Sequence, residues 1–190
     1  MTTKKILPVA LIGILFLSAL FVIHVISPPS PVSMTTRPGT PTRLIIPNIH
    51  IDAHIEQIGL TADGAMDTPK ETSNVGWFMF GSRPGEIGTA TMAGHSGWKN
   101  NKPVVFDSLS DLQVGDLVYV ENTEKIIHTF VVREMRIYDE NADTISVFTS
   151  SDGIPHLNLI TCNGTWNAEK KSYSNRIVIF TDKLPSTDMQ

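Results

Sequence analysis

Beyond residue 43, apolar and polar residues alternate along several short segments, which is the pattern of β-strands with one buried face. The first segment runs from Leu44 to Ile58 and is interrupted by Pro47, and Asp63-Gly64 then predicts a turn. Further strands are predicted at Gly88–Ala93, Asp116–Glu121, Ile126–Ile137, Leu157–Cys162 and Arg176–Thr181. Many short strands separated by turns predict an all-β barrel or sandwich.

One short helix is predicted within this β-rich region. Phe106, Leu109 and Leu112 recur on one helical face, and Gly115-Asp116 ends the repeat. The fold class is therefore all-β with one or two short helices.

The N-terminal segment differs, because it is almost wholly apolar from Ile6 to Ile26. A helix of that length, at about 1.5 Å rise per residue, spans the roughly 30 Å hydrocarbon core of a bilayer. Lys4 and Lys5 precede it and no charge follows before Arg37, so we expect residues 1–5 in the cytoplasm and the bulk of the chain outside. This predicts a single-pass plasma-membrane protein. A cleaved signal peptide is the alternative, although no A-x-A-like site follows the apolar run.

Composition divides the rest of the chain into three parts. Residues 27–42 are rich in proline, serine and threonine, which predicts a semi-extended stalk. Residues 43–182 are numerous enough for one domain with its own core, and residues 183–190 form a polar tail. The formal net charge of −4 gives no basic footprint, so no nucleic-acid partner is expected.

The candidate chemistry centres on Cys162, the only cysteine of the chain. A solitary cysteine in an exported domain is either a site for a disulfide with another chain or a reactive thiol. A thiol nucleophile needs a base or a cationic partner, because the thiolate is the reactive form. His95 is the candidate base, since it follows a predicted strand among the small residues of Ala93-Gly94-His95-Ser96-Gly97. Arg176 would lie beside Cys162 if the last two strands pair.

These residues together resemble the sortases, the membrane-anchored cysteine transpeptidases of bacterial surfaces. Ala93-Gly94-His95 is similar to the family's histidine segment, and Leu159-Ile160-Thr161-Cys162 is similar to its T-L-x-T-C strand. Asn175–Phe180 is similar to the arginine strand of the family. The turn Asp63-Gly64-Ala65-Met66 and the compact layout resemble class F and class E sortases. The resemblance covers Arg43 to Thr181, together with the N-terminal anchor.

The resemblance implies an eight-stranded sortase-like β-barrel and a role for each residue. Cys162 would attack the threonine carbonyl of an LPxTG-like motif, and His95 would transfer protons. Arg176 and backbone N–H groups would hold the oxyanion, aided by the Thr161 hydroxyl. The donors would be secreted proteins with a C-terminal sorting signal. The acyl group would pass through a thioester to an amine acceptor, either a lipid-linked peptidoglycan precursor or a pilin lysine, and no cofactor is implied.

Three further residues are expected beside the substrate. Asn158 stands where the family has the first threonine of its cysteine motif, which bears on sequence preference more than on activity. It lies four residues before Cys162, so the two share a strand face. Trp98 and Trp166 follow the histidine and the cysteine in sequence, and either core packing or the rim of a substrate groove fits them.

No metal site is expected. Asp139, Asn141 and Asp143 match the first three ligand positions of a calcium loop. However, Thr144 stands in place of the glycine and Ser150 in place of the bidentate glutamate, so a solvated acidic loop is expected. A single cysteine and dispersed histidines also argue against zinc.

Two other classes of protein stay open. A hydrolytic, papain-like cysteine protease would have its cysteine near the start of a helix and its histidine far downstream, whereas here the histidine comes first. A non-catalytic exported β-domain would use Cys162 for an intermolecular disulfide. Non-reducing electrophoresis separates that case, because a covalent dimer would be lost in Cys162→Ser.

Overall fold

The structure, a computed structural model, describes the chain in four stretches: residues 37–99, 101–139, 142–169 and 172–185. The predicted cytoplasmic segment, the predicted membrane span, most of the predicted stalk and the last residues of the tail lie outside these stretches. Within them, no helix is long and apolar enough to cross a membrane.

Eight strands close into a barrel, which confirms the all-β prediction and the barrel that the resemblance implied. In chain order the strands are β1 (Pro41–Ile46), β2 (Ile51–Ile58), β3 (Val75–Phe78), β4 (Gly88–Ala93), β5 (Trp98–Lys99), β6 (Lys102–Pro103), β7 (Leu117–Asn122), β8 (Ile127–Asp139), β9 (Pro155–Asn167) and β10 (Ser172–Lys183). Around the barrel the order is β1-β2-β3-β4-β9-β10-β8-β7, while β5 and β6 form a separate hairpin. The pairs β2–β3 and β4–β9 are parallel and the other barrel pairs are antiparallel.

Alternating apolar side chains fill the inside of the barrel. On β2, Ile51, Ala53 and Ile55 are buried, and the residues between them are exposed. Ile177 and Ile179 of β10 enter the same core, whose largest fully buried members include Phe106, Phe130, Leu44, Ile46 and Met92. Each such side chain contributes about 1.5–3 kcal/mol through burial. The packing of this core keeps the barrel strands rigid, and the candidate site lies on these strands.

A smaller apolar cluster lies on the opposite face of β9 and β10. Val178 and Phe180 alternate with the inward residues of β10, so their side chains point outwards. A four-residue helix, α1 (Ile145–Phe148), covers this outer face and buries Val147 against them. The helix and the outer face of the sheet therefore border a surface groove.

Short helical turns are where the structure differs from the sequence prediction. Phe106, Leu109 and Leu112 are buried as predicted, but only Leu109–Asp111 is helical, as a single 3₁₀ turn. A repeat of three fits this turn because side chains three apart are aligned in a 3₁₀ helix. The break at Pro47 is a second 3₁₀ turn, Pro47–Ile49, and β2 begins after it.

Candidate active site

Cys162 and Arg176 are brought together by the pairing of β9 with β10. The two residues are direct register partners in this antiparallel pair, so their side chains leave the same face of the sheet. Nη1 of Arg176 donates hydrogen bonds to the carbonyl oxygens of Tyr173, at 3.0 Å, and Asn175, at 2.9 Å. In the described part of the chain, the other guanidinium nitrogens have no protein partner. One side of the cation is thus anchored, and the other is available to an oxyanion.

The histidine segment reaches the site through the parallel pairing of β4 with β9. Ala93 pairs with Ile160, and the Gly94 N–H donates to the Ile160 carbonyl at 3.0 Å. Because both strands run in the same direction, His95, two residues after Ala93, lies alongside Cys162, two residues after Ile160. A Cβ on Gly94 would lie 2.4 Å from Cδ2 of Phe106, so a larger residue could not hold this path.

The His95 ring has one defined partner. Nε2 lies 2.9 Å from the carbonyl oxygen of Pro69. A carbonyl only accepts hydrogen bonds, so Nε2 must carry a proton in the neutral ring. Nδ1 is therefore the ring nitrogen that carries no proton in the neutral form, and the acid–base role expected of His95 stays a prediction.

Two hydroxyl groups fasten the histidine segment to the cysteine strand. The Ser96 hydroxyl donates to the Cys162 carbonyl at 2.8 Å, and the Thr161 hydroxyl donates to the Gly94 carbonyl at 2.8 Å. Thr161 is buried and pairs with Ile177, whose side chain belongs to the inner core. The Thr161 hydroxyl is therefore hydrogen-bonded within the protein, to the Gly94 carbonyl. A contact between Thr161 and substrate stays a prediction.

A surface groove of about 680 Å³ runs past the half-buried thiol. Cys162 and Arg176 both line it, whereas His95 is not among its lining residues. Apolar side chains form much of its surface: Leu60, Met66, Phe78, Val147, Phe148, Ile160 and Val178. The segments 64–68 and 172–176 also contribute to the lining. A groove of this size, mostly apolar and with one cation beside a nucleophile, fits an extended peptide.

Asn158 shares the face of Cys162, as predicted, but lies beneath α1 instead of in the groove. Its side chain is 2% exposed, and Nδ2 donates to the Val147 carbonyl at 2.8 Å. The Thr91 hydroxyl donates to the same carbonyl at 3.1 Å. These bonds fasten α1 to the barrel, so Asn158 supports a wall of the groove. Direct binding of substrate by Asn158 stays a prediction.

Neither candidate tryptophan packs in the core. Trp98 is 70% exposed and Trp166 is 52% exposed. The Trp166 ring lies edge to face against Tyr173, with ring centroids 5.2 Å apart, and Tyr173 lines the groove. Trp166 therefore contacts a residue of the groove lining, and the predicted role of both tryptophans at the rim stays a prediction.

Two acidic residues, Asp67 and Asp139, line the groove with Cys162. Among the described residues, no group of three or more His, Cys, Asp or Glu side chains is arranged to hold a metal ion. Asp143, one of the three loop residues that matched a calcium motif, is exposed, and Asn141 lies outside the described part.

A separate polar cluster lies at the other end of β9. His156 is buried and bonds to Asp182 through Nδ1 and to Asp152 through Nε2, each at 2.8 Å. The hydrogen bond from His156, together with the backbone N–H of Ile154, lowers the pKa of Asp152 to about 2. This cluster fastens the loop after α1 and plays no part at the thiol.

The family described as Sortase domain matches residues 44–184 of this chain. The chain belongs to the sortase family. It is accordingly a cysteine transpeptidase, and the only cysteine present is the one in the groove. The resemblance drawn from its motifs is confirmed. No curated protein matches the chain closely enough to serve as a relative.

Solved sortase structures share the fold of this sortase at low sequence identity. Sortase C-1 from Actinomyces oris is 24% identical, with a TM-score of 0.61 over 76% of this chain and 73% of its own. Sortase A from Corynebacterium diphtheriae is 20% identical, with a TM-score of 0.61 over 82% and 65%. A sortase D5 transpeptidase from Clostridium perfringens is 23% identical, with a TM-score of 0.57 over 77% and 79%. The expected likeness to class F or class E is not tested by these structures.

The sequence prediction missed the contacts that hold the histidine. The backbone carbonyl of Pro69 contacts the His95 ring, 26 residues away in sequence. The Ser96 hydroxyl donates to the Cys162 carbonyl, 66 residues away. Ser96 adjoins the histidine, so its position was a usable signal. Nothing in the sequence distinguishes Pro69.

Proposed function

We propose that this sortase cleaves an LPxTG-like sorting motif in secreted proteins and transfers the acyl fragment to an amine. The observation that carries the proposal is the register pairing of Cys162 with Arg176 beside an apolar groove. The leucine and proline of such a motif are apolar, and the groove offers Phe148, Ile160 and Val178 to them. The scissile carbonyl would then lie between the thiol and the guanidinium.

The chemistry follows from these positions. The Cys162 thiolate attacks the carbonyl carbon of the motif's threonine, and the free N–H groups of Arg176 stabilise the oxyanion. His95, protonated on both ring nitrogens, gives the Nδ1 proton to the leaving glycine amine as the C–N bond breaks. A thioester remains on the sulfur. An acceptor amine loses a proton to Nδ1, attacks the thioester, forms a new amide bond and releases the thiolate.

We further propose that the acceptor is the amine of a lipid-linked peptidoglycan precursor or of a pilin lysine, and that residues 6–26 anchor the enzyme in the plasma membrane. The first described residues are attached to the segment that precedes β4. Arg37 pairs with Glu86 at 2.8 Å, and Nη1 of Arg83 donates to the Pro38 carbonyl at 2.7 Å, just before β4 begins. Anchoring would hold the enzyme on the same membrane surface as its donors and acceptors, which raises their effective concentration at the groove.

A peptide-library assay tests this function. Full-length protein is incubated with LPxTG-like peptides that carry varied residues, with and without added amines, and the products are identified by mass spectrometry. We expect cleavage between threonine and glycine, slow hydrolysis without amine, and an amide product when amine is present. Cleavage at unrelated sites, or products that never include the amine, would contradict the proposal.

A further inference from the structure

Glu56, on β2, holds the loop that provides the hydrogen-bond acceptor of His95. The Lys70 N–H donates to Oε2 of Glu56 at 3.0 Å, and the Glu71 N–H donates to Oε1 at 3.2 Å. The Asn74 side-chain amide donates to Oε1 at 2.8 Å. A single carboxylate therefore accepts three hydrogen bonds from residues 70–74, while its own backbone is fixed in the barrel wall.

The peptide unit between Pro69 and Lys70 lies directly between Glu56 and His95. Its N–H donates to the Glu56 carboxylate, and its carbonyl oxygen accepts from Nε2 of His95 at 2.9 Å. The N–H and C=O of a trans peptide point in opposite directions, and its six atoms are coplanar. One rigid group thus joins the carboxylate to the imidazole. A negative charge at the N–H end polarises the carbonyl and makes it a stronger acceptor.

Other contacts leave this peptide little freedom to move. Pro69 is buried, and its ring fixes the backbone angle φ just before the carbonyl. The Val105 N–H donates to the Thr72 carbonyl at 3.0 Å and holds the loop from the other side. The backbone N–H of Lys70, followed by the amide of Asn74, also lowers the pKa of Glu56, so the side chain is a carboxylate at neutral pH.

We propose that Glu56 is a positioning residue of this sortase, which acts through the Pro69–Lys70 peptide to fix the tautomer and the orientation of His95. The Glu56 carboxylate holds the peptide group, and the peptide carbonyl in turn accepts from the imidazole, so the proton of the neutral ring stays on Nε2. Nδ1 is then kept for the leaving amine. The inference rests on the proposed role of His95, and Glu56 itself touches neither substrate nor thiol.

The test compares three variants of the full-length protein. Glu56→Ala removes the acceptor of all three hydrogen bonds, and Glu56→Gln keeps one oxygen but no charge. Asp52→Ala is the matched control, because Asp52 is an exposed carboxylate on the same strand, paired with Arg43. Amide formation from an LPxTG peptide and a glycine amine gives kcat and KM. Nitrogen-15 NMR of the histidines, with His95 assigned from His95→Ala, gives the tautomer. Circular dichroism confirms that each variant is folded.

We expect Glu56→Ala to lower kcat by about 10- to 100-fold with KM within about twofold, since Glu56 does not line the groove but holds the peptide that orients His95. The neutral His95 ring should change from the Nε2–H form to a mixture of tautomers. The kcat of Glu56→Gln should fall between those of Glu56→Ala and wild type. If Glu56→Ala does not fold, Glu56→Gln alone tests the positioning role. Asp52→Ala should match wild type.

A wild-type kcat and an unchanged Nε2–H tautomer in folded Glu56→Gln and Glu56→Ala would overturn the inference, provided that His95→Ala is inactive. Full activity in His95→Ala would instead refute the proposed function on which the inference rests. The two failures are thereby distinguished within one set of proteins.

Discussion

Arg176 lies opposite Cys162 in the register of β9 and β10, and this single pairing places a cation beside the only thiol of the chain. A slip of one residue between these strands would turn Arg176 to the barrel interior, because the side chains of a strand alternate between faces. Ile177 and Ile179 prevent the slip, since both are buried on the inner face. The hydrophobic core of the barrel thus fixes the register of the active site.

Arg176→Lys should lose at least about 100-fold in kcat although the charge is conserved. The guanidinium bonds two carbonyls through Nη1 and still has N–H groups for the oxyanion, whereas an ammonium is a single point donor. Peptide cleavage rates measure the effect. Arg43→Lys is the control, because Arg43 is an exposed residue that pairs with Asp52, and it should retain wild-type activity. Equal rates for Arg176→Lys and wild type would remove the oxyanion role.

His95→Ala should lower the rate of transpeptidation by at least about 100-fold, the usual effect of losing a general acid–base. His54→Ala is the matched control, since His54 is exposed on β2 and far in sequence from the cysteine motif. His54→Ala should leave the rate unchanged. If His128→Ala or His156→Ala abolished activity in a folded protein while His95→Ala did not, the assignment of the base would be wrong.

Substitutions of Thr91 and Asn158 should have non-additive effects on the free energy of unfolding, because both side chains donate to the Val147 carbonyl. Asn158→Ala alone should cost about 1 kcal/mol in the free energy of unfolding, because the Thr91 hydroxyl still serves the carbonyl. The double variant Thr91→Val/Asn158→Ala leaves the carbonyl with neither donor. It should cost about 1 kcal/mol or more beyond the sum of the single changes. Urea unfolding measures all three, and strict additivity would contradict the shared anchor.

The free energy of unfolding should fall as the pH falls from about 4 to about 2 through the protonation of Asp152. The hydrogen bond from His156 lowers the pKa of this carboxyl to about 2 from an ordinary value of 3.8. A pKa lowered in the folded state gives stability that is present above the unfolded value and is lost as the pH approaches the folded one. Asp152→Asn should be less stable than wild type above pH 4 and show a smaller slope below it. An unchanged slope in denaturant titrations would contradict this prediction.

The fold could be predicted largely because most strands have one buried face. The segments that became β4, β7, β8, β9 and β10 were predicted, β7 and β8 from their pattern as paired strands and β10 from a nearly continuous run of β-branched residues. β3 was not, because Val75, Gly76 and Trp77 are all buried and leave no alternation to detect. Its parallel partner β2 is also distant along the chain, so no hairpin turn marks the pair. α1 has four residues, which is too short for a helical repeat.

The candidate residues could be picked out from the sequence, but the contacts that support them could not. Cys162, His95 and Arg176 stand in recognisable motifs, whereas the Glu56 carboxylate and the Pro69 carbonyl make their contacts with groups distant in the sequence, which no motif marks. The role expected for the Thr161 hydroxyl at the oxyanion stays a prediction. In the structure this hydroxyl donates to the Gly94 carbonyl and fastens the histidine segment to β9, a contact that the sequence did not predict.

In the proposed reaction Cys162 forms an acyl-enzyme with a sorting motif, and intact-mass spectrometry detects this intermediate. Full-length protein is mixed with an LPxTG-like peptide without amine, quenched with acid and weighed, with Cys162→Ala as control. We expect an added mass equal to the peptide up to its threonine, located on Cys162, absent from Cys162→Ala and discharged when a glycine amine is added. Peptide cleavage without any adduct on Cys162, or equal cleavage by Cys162→Ala, would contradict the proposed reaction.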